Sequence, residues 1–501
     1  MTAGLLETLA AWKRVHVLVV GDVMLDELVY GAAERLSPDA PVPVLHAERT
    51  EQRPGGASNV ALCLRALGAD VSIVALIGDD AAGGDLRRRL EEAGVNTDGL
   101  VVDPARPTTV KRSLVGLAQH RHPQKMFRID IESKQPASGV ARERLDEAIA
   151  TGAAKCDVIA LEDYDKGVCT DDVCRMVIEV GRKIGREVLV DPAAIEDFGR
   201  YRGATAVTPN RSEAERATGM DTPLDASRLH NAGLTAKLGQ ELDLDAVLLT
   251  LDRHGALLEI RGGEPIHVPT VARSVYDVTG AGDMVLAALA AARGNGLGWE
   301  DATMFANAAA GLEVEVFGVE PIPLARVVRE VWRQHRGLDG KLRTADEIAI
   351  EVAAHRAAGQ RVAFTNGCFD VLHAGHVGYL REARGLADVL VVAINEDAEV
   401  RRQKGEGRPI YPLADRVSVL SELACVDYVV PFATPTVHDL LRSIRPDVYV
   451  KGGDYRPEEI NEHDVVSELG IALQLVANRP GLGSTQVIEQ MRSVGERPGE
   501  G

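Results

Sequence analysis

Short runs of β-branched and other apolar residues recur along the chain, separated by segments whose apolar residues follow the spacing of a helix. In the first part of the chain these runs lie at Val15–Val20, Val71–Leu76, Val158–Leu161, Val188–Val190 and Val247–Leu251. The clearest helical patterns between them cover Ala57–Leu67 and Asp85–Ala93. Buried strands that alternate with helices form mostly parallel sheets covered on both faces. The pattern therefore predicts a doubly wound α/β fold.

Two segments depart from this alternation. Residues Pro107–Asp130 are rich in Thr, Arg, His and Gln and predict a small extra sheet or lid. After about Pro323 the chain becomes charged and helical in pattern, and it loosens at the glycine-rich stretch Gly337–Gly340. Domain boundaries fall in such stretches. We therefore expect a first domain over residues 1–332 and a linker over residues 333–342.

A second series of strands and helices follows the linker. Its apolar runs lie at Val362–Thr365, Val389–Ile394, Tyr428–Val430 and Val448–Val450. We expect a Rossmann-like domain over residues 343–492, followed by a tail over residues 493–501. Two domains also agree with a length of 501 residues, which is more than one hydrophobic core usually holds.

Composition and charge narrow the function. The net charge of −19 argues against a nucleic-acid or membrane partner, because both need a basic face. The first apolar run, Val15–Val20, ends at Gly21–Asp22 and predicts a buried strand rather than a signal peptide. The six cysteines are scattered without a CxxC pair, which favours reduced thiols in a cytoplasmic protein. We also expect a homodimer.

The most informative motif of the first domain is Asp277–Asp283, which leads into an apolar helical run. Its small residues Gly280, Ala281 and Gly282 let the backbone turn sharply at a helix N-terminus, where free N–H groups and the helix dipole attract anions. Asp283 would lie in the first helical turn and could accept a proton from an attacking hydroxyl. Taken alone, so short a glycine pattern is more often an Asp that caps a helix.

Three further segments favour a catalytic role for Asp283 over a capping role. Gly55–Asn59 combines a glycine turn with an amide able to bind sugar hydroxyls, and Gly21–Asp26 places two carboxylates where doubly wound sheets bind ligands. Asn210–Glu213 follows a strand and could orient metal-bound water and phosphates. Three basic residues of the interrupting segment could bind a phosphate already on a sugar, or could be solvated surface charges: Lys111, Arg112 and Arg128.

With these motifs in this order, residues from about 10 to 325 resemble the ribokinase-type carbohydrate kinases. The resemblance implies that Asp283 activates the acceptor hydroxyl, and that Gly280–Gly282, with Thr279 beside them, hold the transferred phosphoryl group. It implies metal and phosphate contacts from Asn210 and Glu213. It implies sugar contacts from Asp26, Gly55, Gly56, Asn59 and Lys111. Phosphoryl transfer relies on positioning and charge stabilisation, so we expect Mg²⁺ with ATP and Glu213 as its candidate protein contact.

The second domain carries the motif Thr365–His376, which starts at the end of a strand and runs into a helix. His373 and His376 are spaced so that both rings would share one face of a first helical turn. Two imidazoles at a helix N-terminus suit a pentacovalent phosphate transition state, where negative charge accumulates. Zinc binding is the rival use of paired histidines, but no third ligand stands at a suitable spacing nearby.

The sequence His373-Ala-Gly-His376 is an HxGH motif, and residues from about 343 to 492 resemble the cytidylyltransferase-like nucleotidyltransferases. That family usually has a hydroxyl-rich phosphate signature near its end, of which Gly483–Thr485 is a shorter version. The resemblance implies nucleotide contacts from Asn366, Gly367, Phe369, Lys404, Lys451, Ser484 and Thr485. Arg408 lies in the same basic loop as Lys404, and both could stabilise a leaving pyrophosphate.

The two halves together closely resemble one bifunctional family. The order of the domains and segments such as Leu36–Val44, Arg53–Gly56 and Lys451–Glu459 are typical of proteins that join a D-glycero-β-D-manno-heptose-7-phosphate kinase to a heptose-1-phosphate adenylyltransferase. The resemblance implies that the first domain uses ATP to phosphorylate heptose 7-phosphate at O1, which gives the 1,7-bisphosphate. It implies that a separate phosphatase then removes the 7-phosphate group, and that the second domain makes ADP-heptose. ADP-heptose is a precursor of the lipopolysaccharide core.

Two alternatives remain at this level. One is a tandem kinase and nucleotidyltransferase for another sugar phosphate, or one that uses CTP in its second half. The other is a ligand-binding or regulatory protein in which one site is dead. The presence of Asp283, His373 and His376 argues against the second alternative.

Overall fold

The computed structural model describes residues 5, 8–9, 11–117, 124–223, 227–270, 280–315, 321–335, 341–357, 359–453 and 456–476. The chain separates into two compact units, Met1–Val331 and Trp332–Gly501. Each unit has its own sheet and its own apolar core.

The described strands of the first unit are β1 (His16–Gly21), β2 (Val23–Leu36), β3 (Pro43–Gly56), β4 (Asp70–Ile77), β5 (Asn96–Val102), β6 (Val110–Leu117), β7 (Gln124–Ile131), β8 (Val158–Glu162), β9 (Glu187–Asp191), β10 (Ala206–Val207), β11 (Ala246–Thr250), β12 (Ala256–Ile260) and β13 (Ile266–Val268). Nine of them form a main sheet in the order β13-β12-β11-β10-β9-β8-β1-β4-β5. Its pairs from β11 through β5 are parallel, whereas β12 and β13 are antiparallel. The predicted doubly wound sheet is confirmed, because each apolar run predicted for this unit overlaps one of its strands.

The remaining four strands form a second sheet, in the order β3-β2-β6-β7. The extra sheet predicted within Pro107–Asp130 is confirmed by β6 and β7, but the long strands β2 and β3 were not predicted. The signal of β3 is weak because this strand is exposed or half-buried over most of its length and has no continuous apolar run. We call this sheet the lid.

The described helices of the first unit are α1 (Ala57–Ala66), α2 (Ala81–Glu92), α3 (Gly139–Ala153), α4 (Asp171–Ile184), α5 (Arg211–Thr218), α6 (Arg228–Leu242), α7 (Ala281–Gly294) and α8 (Trp299–Glu313). Helix α9 (Leu324–His335) begins in this unit and ends after its last residue, Val331. Helix α7 is buried along almost its whole length, as its run of Ala, Leu and Val requires. Its N-cap residue, Gly280, has a φ of 94°, in the left-handed region that glycine adopts without a Cβ clash.

The second unit contains β14 (Val362–Gly367), β15 (Val389–Asn395), β16 (Tyr428–Phe432), β17 (Val448–Gly452) and β18 (Ala472–Val476). These strands form one parallel sheet in the order β16-β15-β14-β17-β18. Its described helices are α10 (Ala345–Ala357), α11 (Ala374–Arg384), α12 (Asp397–Lys404), α13 (Leu413–Ser421), α14 (His438–Ile444) and α15 (His463–Glu468). Two apolar clusters pack on the sheet, as the predicted Rossmann-like arrangement requires.

The first described residues of the second unit are already fixed to its sheet. Leu342 forms a β-bridge with Val429, and the Val429 N–H donates to the carbonyl of Lys341. Arg343 is buried and forms an ion pair with Glu351, at 3.0 Å. Lys341 and Leu342 belong to the predicted linker, yet their backbone contacts are those of the sheet.

Two simpler expectations can be compared with the described residues. No helix among them is both long enough and apolar enough to cross a bilayer. All six cysteines are free thiols, as their scattered positions predicted.

Candidate active sites

The predicted base of the first unit lies in a buried pocket of donors. Asp283 is in the first turn of α7 and only 4% exposed. The Asn59 side-chain amide donates to Asp283 Oδ2 at 2.7 Å, and the Tyr164 hydroxyl donates to Asp283 Oδ1 at 2.8 Å. Burial raises the pKa of Asp283 to about 6, against the effect of these two hydrogen bonds. A carboxylate with a pKa near neutrality is well matched to proton transfer at physiological pH.

The predicted sugar-binding residues converge on the same place. Asp26 on β2 is opposite Lys111 on β6, and the charge of Lys111 acts on both Asp26 and Asp283. A Cβ atom at Gly55 would lie 2.4 Å from Asp26 Oδ2, so a larger residue there would collide with this carboxylate. Gly56 has a φ of 56°, which also favours glycine.

Tyr164 was not among the sequence candidates, although it contacts the predicted base. Its loop follows β8 and is held by the buried carboxylate of Asp22, which accepts N–H bonds from Tyr164, Lys166 and Val168 at 2.9 to 3.0 Å. The Lys111 ammonium lies 4.8 Å from the centre of the Tyr164 ring. Asp22, one of the two carboxylates in the motif Gly21–Asp26, therefore holds the loop that carries Tyr164.

Two of the three basic lid residues are already paired. Arg112 donates to Glu27 at 2.5 Å, and Arg128 donates to Asp130 at 2.8 Å. Lys111, the third, acts by its charge on Asp283 in the pocket.

The Asn210–Glu213 motif begins helix α5 as a capping box. The Asn210 side chain accepts the Glu213 N–H, and the Glu213 carboxylate accepts the Asn210 N–H, at 3.0 and 2.8 Å. Asn210 and Glu213, which were predicted to contact metal and phosphate, therefore also cap the N-terminus of helix α5. Near them, carboxyl oxygens of Glu162, Asp191 and Asp283 lie within 4.8 Å of one another. Glu162 and Asp191 were missed because each simply ends an apolar strand.

The second predicted motif places its histidines at the start of α11. His373 is the N-cap residue, and its Nδ1 accepts the Gly375 N–H at 3.1 Å. When the ring is neutral its proton must then lie on Nε2, which can donate to a ligand. The ring centres of His373 and His376 are 3.9 Å apart, which confirms that both rings share one side of the helix start. Burial lowers the pKa of His376 to about 4, with His373 and Lys404 adding to the effect.

The residues before the histidines are arranged by the turn between β14 and α11. Phe369 has a φ of 44°, and its ring centre lies 5.5 Å from that of His376. A Cβ atom at Gly367 would approach the Phe369 ring to 3.1 Å, which explains the glycine. Asp370 is buried, accepts the Ile410 N–H at 2.5 Å and pairs with Arg408. Arg408 therefore anchors the basic loop, while Lys404 ends α12 and acts electrostatically on His376.

Lys451 is half-buried and paired with groups of the protein itself. Its ammonium donates to Asn366 Oδ1 at 3.0 Å, to the Tyr449 hydroxyl at 3.1 Å and to Glu462 at 3.3 Å. An ammonium has three N–H groups, so all of them are used. The Tyr449 hydroxyl also donates to Asn366 Oδ1, at 2.7 Å. These contacts fix the Asn366 carboxamide and leave its NH₂ group available as a donor.

Three predicted contacts lie outside the described residues. They are Thr279, Ser484 and Thr485.

Comparisons with known proteins find two different families in the two parts of the chain. Residues 15–324 match the pfkB family of carbohydrate kinases, and residues 364–490 match the cytidylyltransferase-like family. The chain is 42% identical over 481 residues to the bifunctional protein HldE of Geotalea uraniireducens, covering 96% of each chain. It is also 42% identical over 492 residues to the HldE of Geobacter metallireducens, covering 98% of this chain and 99% of the other.

Solved structures resemble the first unit in fold. A ribokinase of Arabidopsis thaliana, in complex with ribose and ATP, aligns with a TM-score of 0.52 at 24% identity, covering 64% of this chain and 99% of that chain. The phosphofructokinase-2 of Escherichia coli aligns with a TM-score of 0.51 at 16% identity, covering 64% of this chain and 98% of that chain.

Proposed function

The chain belongs to the family of bifunctional HldE proteins, with a pfkB-type kinase followed by a cytidylyltransferase-like domain, and from this premise we propose the two reactions that it catalyses. The first unit phosphorylates D-glycero-D-manno-heptose 7-phosphate at O1 with ATP, which gives the 1,7-bisphosphate. The second unit transfers AMP from ATP to heptose 1-phosphate, which gives ADP-heptose and pyrophosphate for lipopolysaccharide core synthesis.

The observation that carries the kinase proposal is the pocket around Asp283. The carboxylate is buried, held by Asn59 and Tyr164, and faces the lid residues Asp26 and Lys111. In the proposed reaction Asp283 takes the proton of the O1 hydroxyl as that oxygen attacks the γ-phosphorus of ATP. The O–P bond to the sugar forms while the bond to the β-phosphate oxygen breaks, and ADP leaves. Backbone N–H groups at Gly280–Gly282 stabilise the transferred phosphoryl group.

Lys111 is proposed to hold the sugar in place. Its ammonium lies beside Asp26 and Tyr164, at the side of the pocket formed by the lid. A cation there can bind the 7-phosphate and draw the far end of the sugar toward the lid, which leaves O1 near Asp283.

The kinase chemistry needs a divalent cation to neutralise the phosphates of ATP, and we propose Mg²⁺. The buried oxygen Glu162 Oε2 accepts no hydrogen bond from the described residues, and it lies beside Asp191 and Asp283. Together with Glu213, these oxygen donors match the ligand preference of Mg²⁺. When bound, the cation supplies positive charge next to the phosphates that are transferred and released.

The second site needs no general base, because a sugar 1-phosphate is already an anion. In the proposed reaction a phosphate oxygen of heptose 1-phosphate attacks the α-phosphorus of ATP, and the bond to the β-phosphate oxygen breaks. His373 and His376 donate hydrogen bonds to oxygens of the pentacovalent phosphorus centre, and Lys404 stabilises the leaving pyrophosphate. Asn366, fixed by Lys451 and Tyr449, offers its NH₂ group to the nucleotide or the sugar phosphate.

Mass spectrometry of the products tests both reactions. With heptose 7-phosphate, ATP and Mg²⁺, the full chain should give only the 1,7-bisphosphate. Addition of the 7-phosphatase should then give ADP-heptose. A second experiment supplies ATP, CTP, GTP or UTP with heptose 1-phosphate. A preference for CTP would show that the second unit is a cytidylyltransferase rather than an adenylyltransferase. No bisphosphate from heptose 7-phosphate would overturn the kinase assignment.

We further propose a homodimer that forms through the lid, in the cytoplasm where ATP is available. Strand β7 is an edge strand whose apolar side chains are exposed on both faces, with Met126 39% and Phe127 66% exposed. Exposed apolar edges of this kind usually mark an interaction surface. Sedimentation of a Phe127→Glu variant tests the proposal: the wild type should be a dimer and the variant a monomer.

A further inference from the structure

Two connections between the lid and the rest of the kinase unit pass beside the Tyr164 loop, residues 163–170, which follows β8. Arg106 lies on the connection from β5 to β6, and Gln135 lies on the connection from β7 to α3. The packing is close, because a Cβ atom at Gly167 of the loop would lie 2.3 Å from the carbonyl oxygen of Gln135. The loop that carries Tyr164 therefore packs directly against the segment that leaves the lid.

The guanidinium of Arg106 joins these three segments. Its Nη2 donates to the carbonyl oxygens of Ser133 at 3.0 Å and Lys166 at 2.5 Å, and its Nη1 donates to that of Gln135 at 3.2 Å. Arg106 is only 7% exposed, so these hydrogen bonds are largely shielded from water. The planar fork of a guanidinium suits this bridging, whereas the ammonium of a lysine is a single point charge. One buried side chain therefore connects the entry and the exit of the lid to the backbone of the Tyr164 loop.

The same stretch of backbone is also bound by a buried anion. Asp22 accepts the Lys166 N–H at 2.9 Å, while Arg106 donates to the Lys166 carbonyl oxygen. Burial lowers the pKa of Arg106, and the charge of Asp22 opposes that effect. Hydrogen bonds to charged groups are stronger than those between neutral groups. The donor and the acceptor of this peptide backbone are thus both held by charged side chains, which fixes the loop in one conformation.

The Tyr164 hydroxyl donates to Asp283 Oδ1 at 2.8 Å, so a shift of the loop would displace this donor from the candidate base. A displacement of about 1 Å in a catalytic site can cost about 10²-fold in rate. We propose that Arg106 is a positioning residue of the kinase reaction, which acts on Asp283 through the Tyr164 loop and ties the place of Tyr164 to that of the lid. This role rests on the proposed kinase function and deepens it, because it connects the lid to the candidate base.

The test is a double-mutant cycle in the full chain. Arg106→Gln removes the guanidinium, and Tyr164→Phe removes the hydroxyl that the guanidinium positions. At a pH of about 6, the pKa of Asp283, Arg106→Gln should lower kcat/KM for heptose 7-phosphate by up to about tenfold, the effect of a hydrogen bond to a charged group. In the Tyr164→Phe background the same change should cost less than about twofold, because the hydroxyl is already absent. Losses that multiply in the double variant, or a wild-type kcat/KM in Arg106→Gln, would overturn the role.

Two further variants control for a general loss of structure. Arg106→Lys keeps the charge without the planar fork, so it should lose less activity than Arg106→Gln. It carries the same cycle if Arg106→Gln does not fold. Arg144→Gln makes the same change at an exposed position of α3, and its kcat/KM should be that of the wild type. Pyrophosphate release by the second unit should be unchanged in every variant.

A measurement without substrate separates this role from the proposed function. The chain has 9 tyrosines, and after incorporation of 3-fluorotyrosine the ¹⁹F resonance of Tyr164 is the one that Tyr164→Phe lacks. In the wild type and in Arg144→Gln this resonance should shift as the pH passes through about 6, where Asp283 ionises. In Arg106→Gln and Arg106→Lys the shift should be smaller or absent. An unchanged shift in both Arg106 variants overturns the role. A wild type that shows the expected shifts but does not phosphorylate heptose 7-phosphate loses only the proposed function.

Discussion

The two units place their candidate sites at equivalent positions but fill them with opposite chemistry. In each unit the site lies where parallel strands end and a helix begins, at Gly280 in one and at His373 in the other. The first site gathers buried carboxylates, and burial raises the pKa of Asp283 to about 6. The second gathers imidazoles, and burial lowers the pKa of His376 to about 4.

The difference follows from the two nucleophiles. A sugar hydroxyl must lose a proton as it attacks, so the kinase unit needs an acceptor whose pKa lies near neutrality. A sugar phosphate is already ionised, so the transferase unit needs neutral donors that stabilise the developing charge. Burial serves both needs, because it disfavours whichever form is charged: it makes a carboxyl group more basic and keeps an imidazole neutral.

The substitution expected to distinguish the activities of the two units by the largest effect is Asp283→Asn. This change removes the proton acceptor but keeps the size of the side chain, so the rate of heptose 7-phosphate phosphorylation should fall by about 10² to 10⁴-fold. Pyrophosphate release from ATP and heptose 1-phosphate should be unchanged in the same preparation, which serves as the internal control. Near-normal phosphorylation would remove Asp283 from its proposed role.

The reciprocal change is His376→Ala. It removes a hydrogen-bond donor from the second site and should slow pyrophosphate release by about 10² to 10³-fold, as the loss of other preorganised donors does. The kinase rate should be that of the wild type. If the kinase fails and the pyrophosphate release persists, the two sites have been assigned to the wrong units.

The dependence on pH should distinguish the sites without a change in the catalytic residues. Asp283 must be ionised to act, so kcat/KM of the kinase should fall as pH drops through about 6. His376 stays neutral over the same range, because its pKa is about 4, so the transferase rate should hold. Profiles of both activities from pH 5 to pH 8 provide the comparison.

Tyr164→Phe sharpens this prediction. The Tyr164 hydroxyl stabilises the ionised form of Asp283, so its removal should raise the pKa of that carboxyl and move the acid limb of the kinase profile to higher pH. A hydrogen bond to a charged group contributes about 1.5–3 kcal/mol, so a loss of about tenfold or more is expected at low pH and a much smaller loss at pH 8. An acid limb that does not move would show that Tyr164 acts on substrate rather than on Asp283.

The smallest effect is expected when the chain is cut into residues 1–335 and 341–501. Each unit has its own sheet, core and candidate site, so each fragment should keep its own reaction. The second fragment must retain Lys341 and Leu342, because both pair with Val429. Separate expression with both assays measures the result, and activity that returns only when the fragments are mixed would indicate a shared site.

Much of the fold could be predicted from the sequence, because buried parallel strands consist of short runs of apolar residues. The same rule explains the miss at β3, since a lid strand that is exposed or half-buried over most of its length leaves no such run. At the sites, Asp283, Asn59, His373 and His376 could be found because they stand in compact motifs. Tyr164, Glu162 and Glu462 could not, because each is brought to its partners only by the packing of distant strands.

Lys451 shows a subtler limit. The family resemblance implied that Lys451 contacts the nucleotide, whereas in the structure its three donors are used by Asn366, Tyr449 and Glu462. A sequence shows which residue carries a charge, whereas the neighbours that use that charge belong to other strands and loops.

The carboxylate of Asp22 has a consequence for how the kinase unit can be observed. It accepts hydrogen bonds from the backbone N–H groups of Tyr164, Lys166 and Val168. A single buried side chain therefore binds three amide hydrogens of one loop. These amides should exchange slowly with deuterated solvent, and together, because they are released only when the end of β1 opens. Their shared exchange rate in the protein without substrate therefore reports how often the Tyr164 loop leaves the geometry that the candidate base requires.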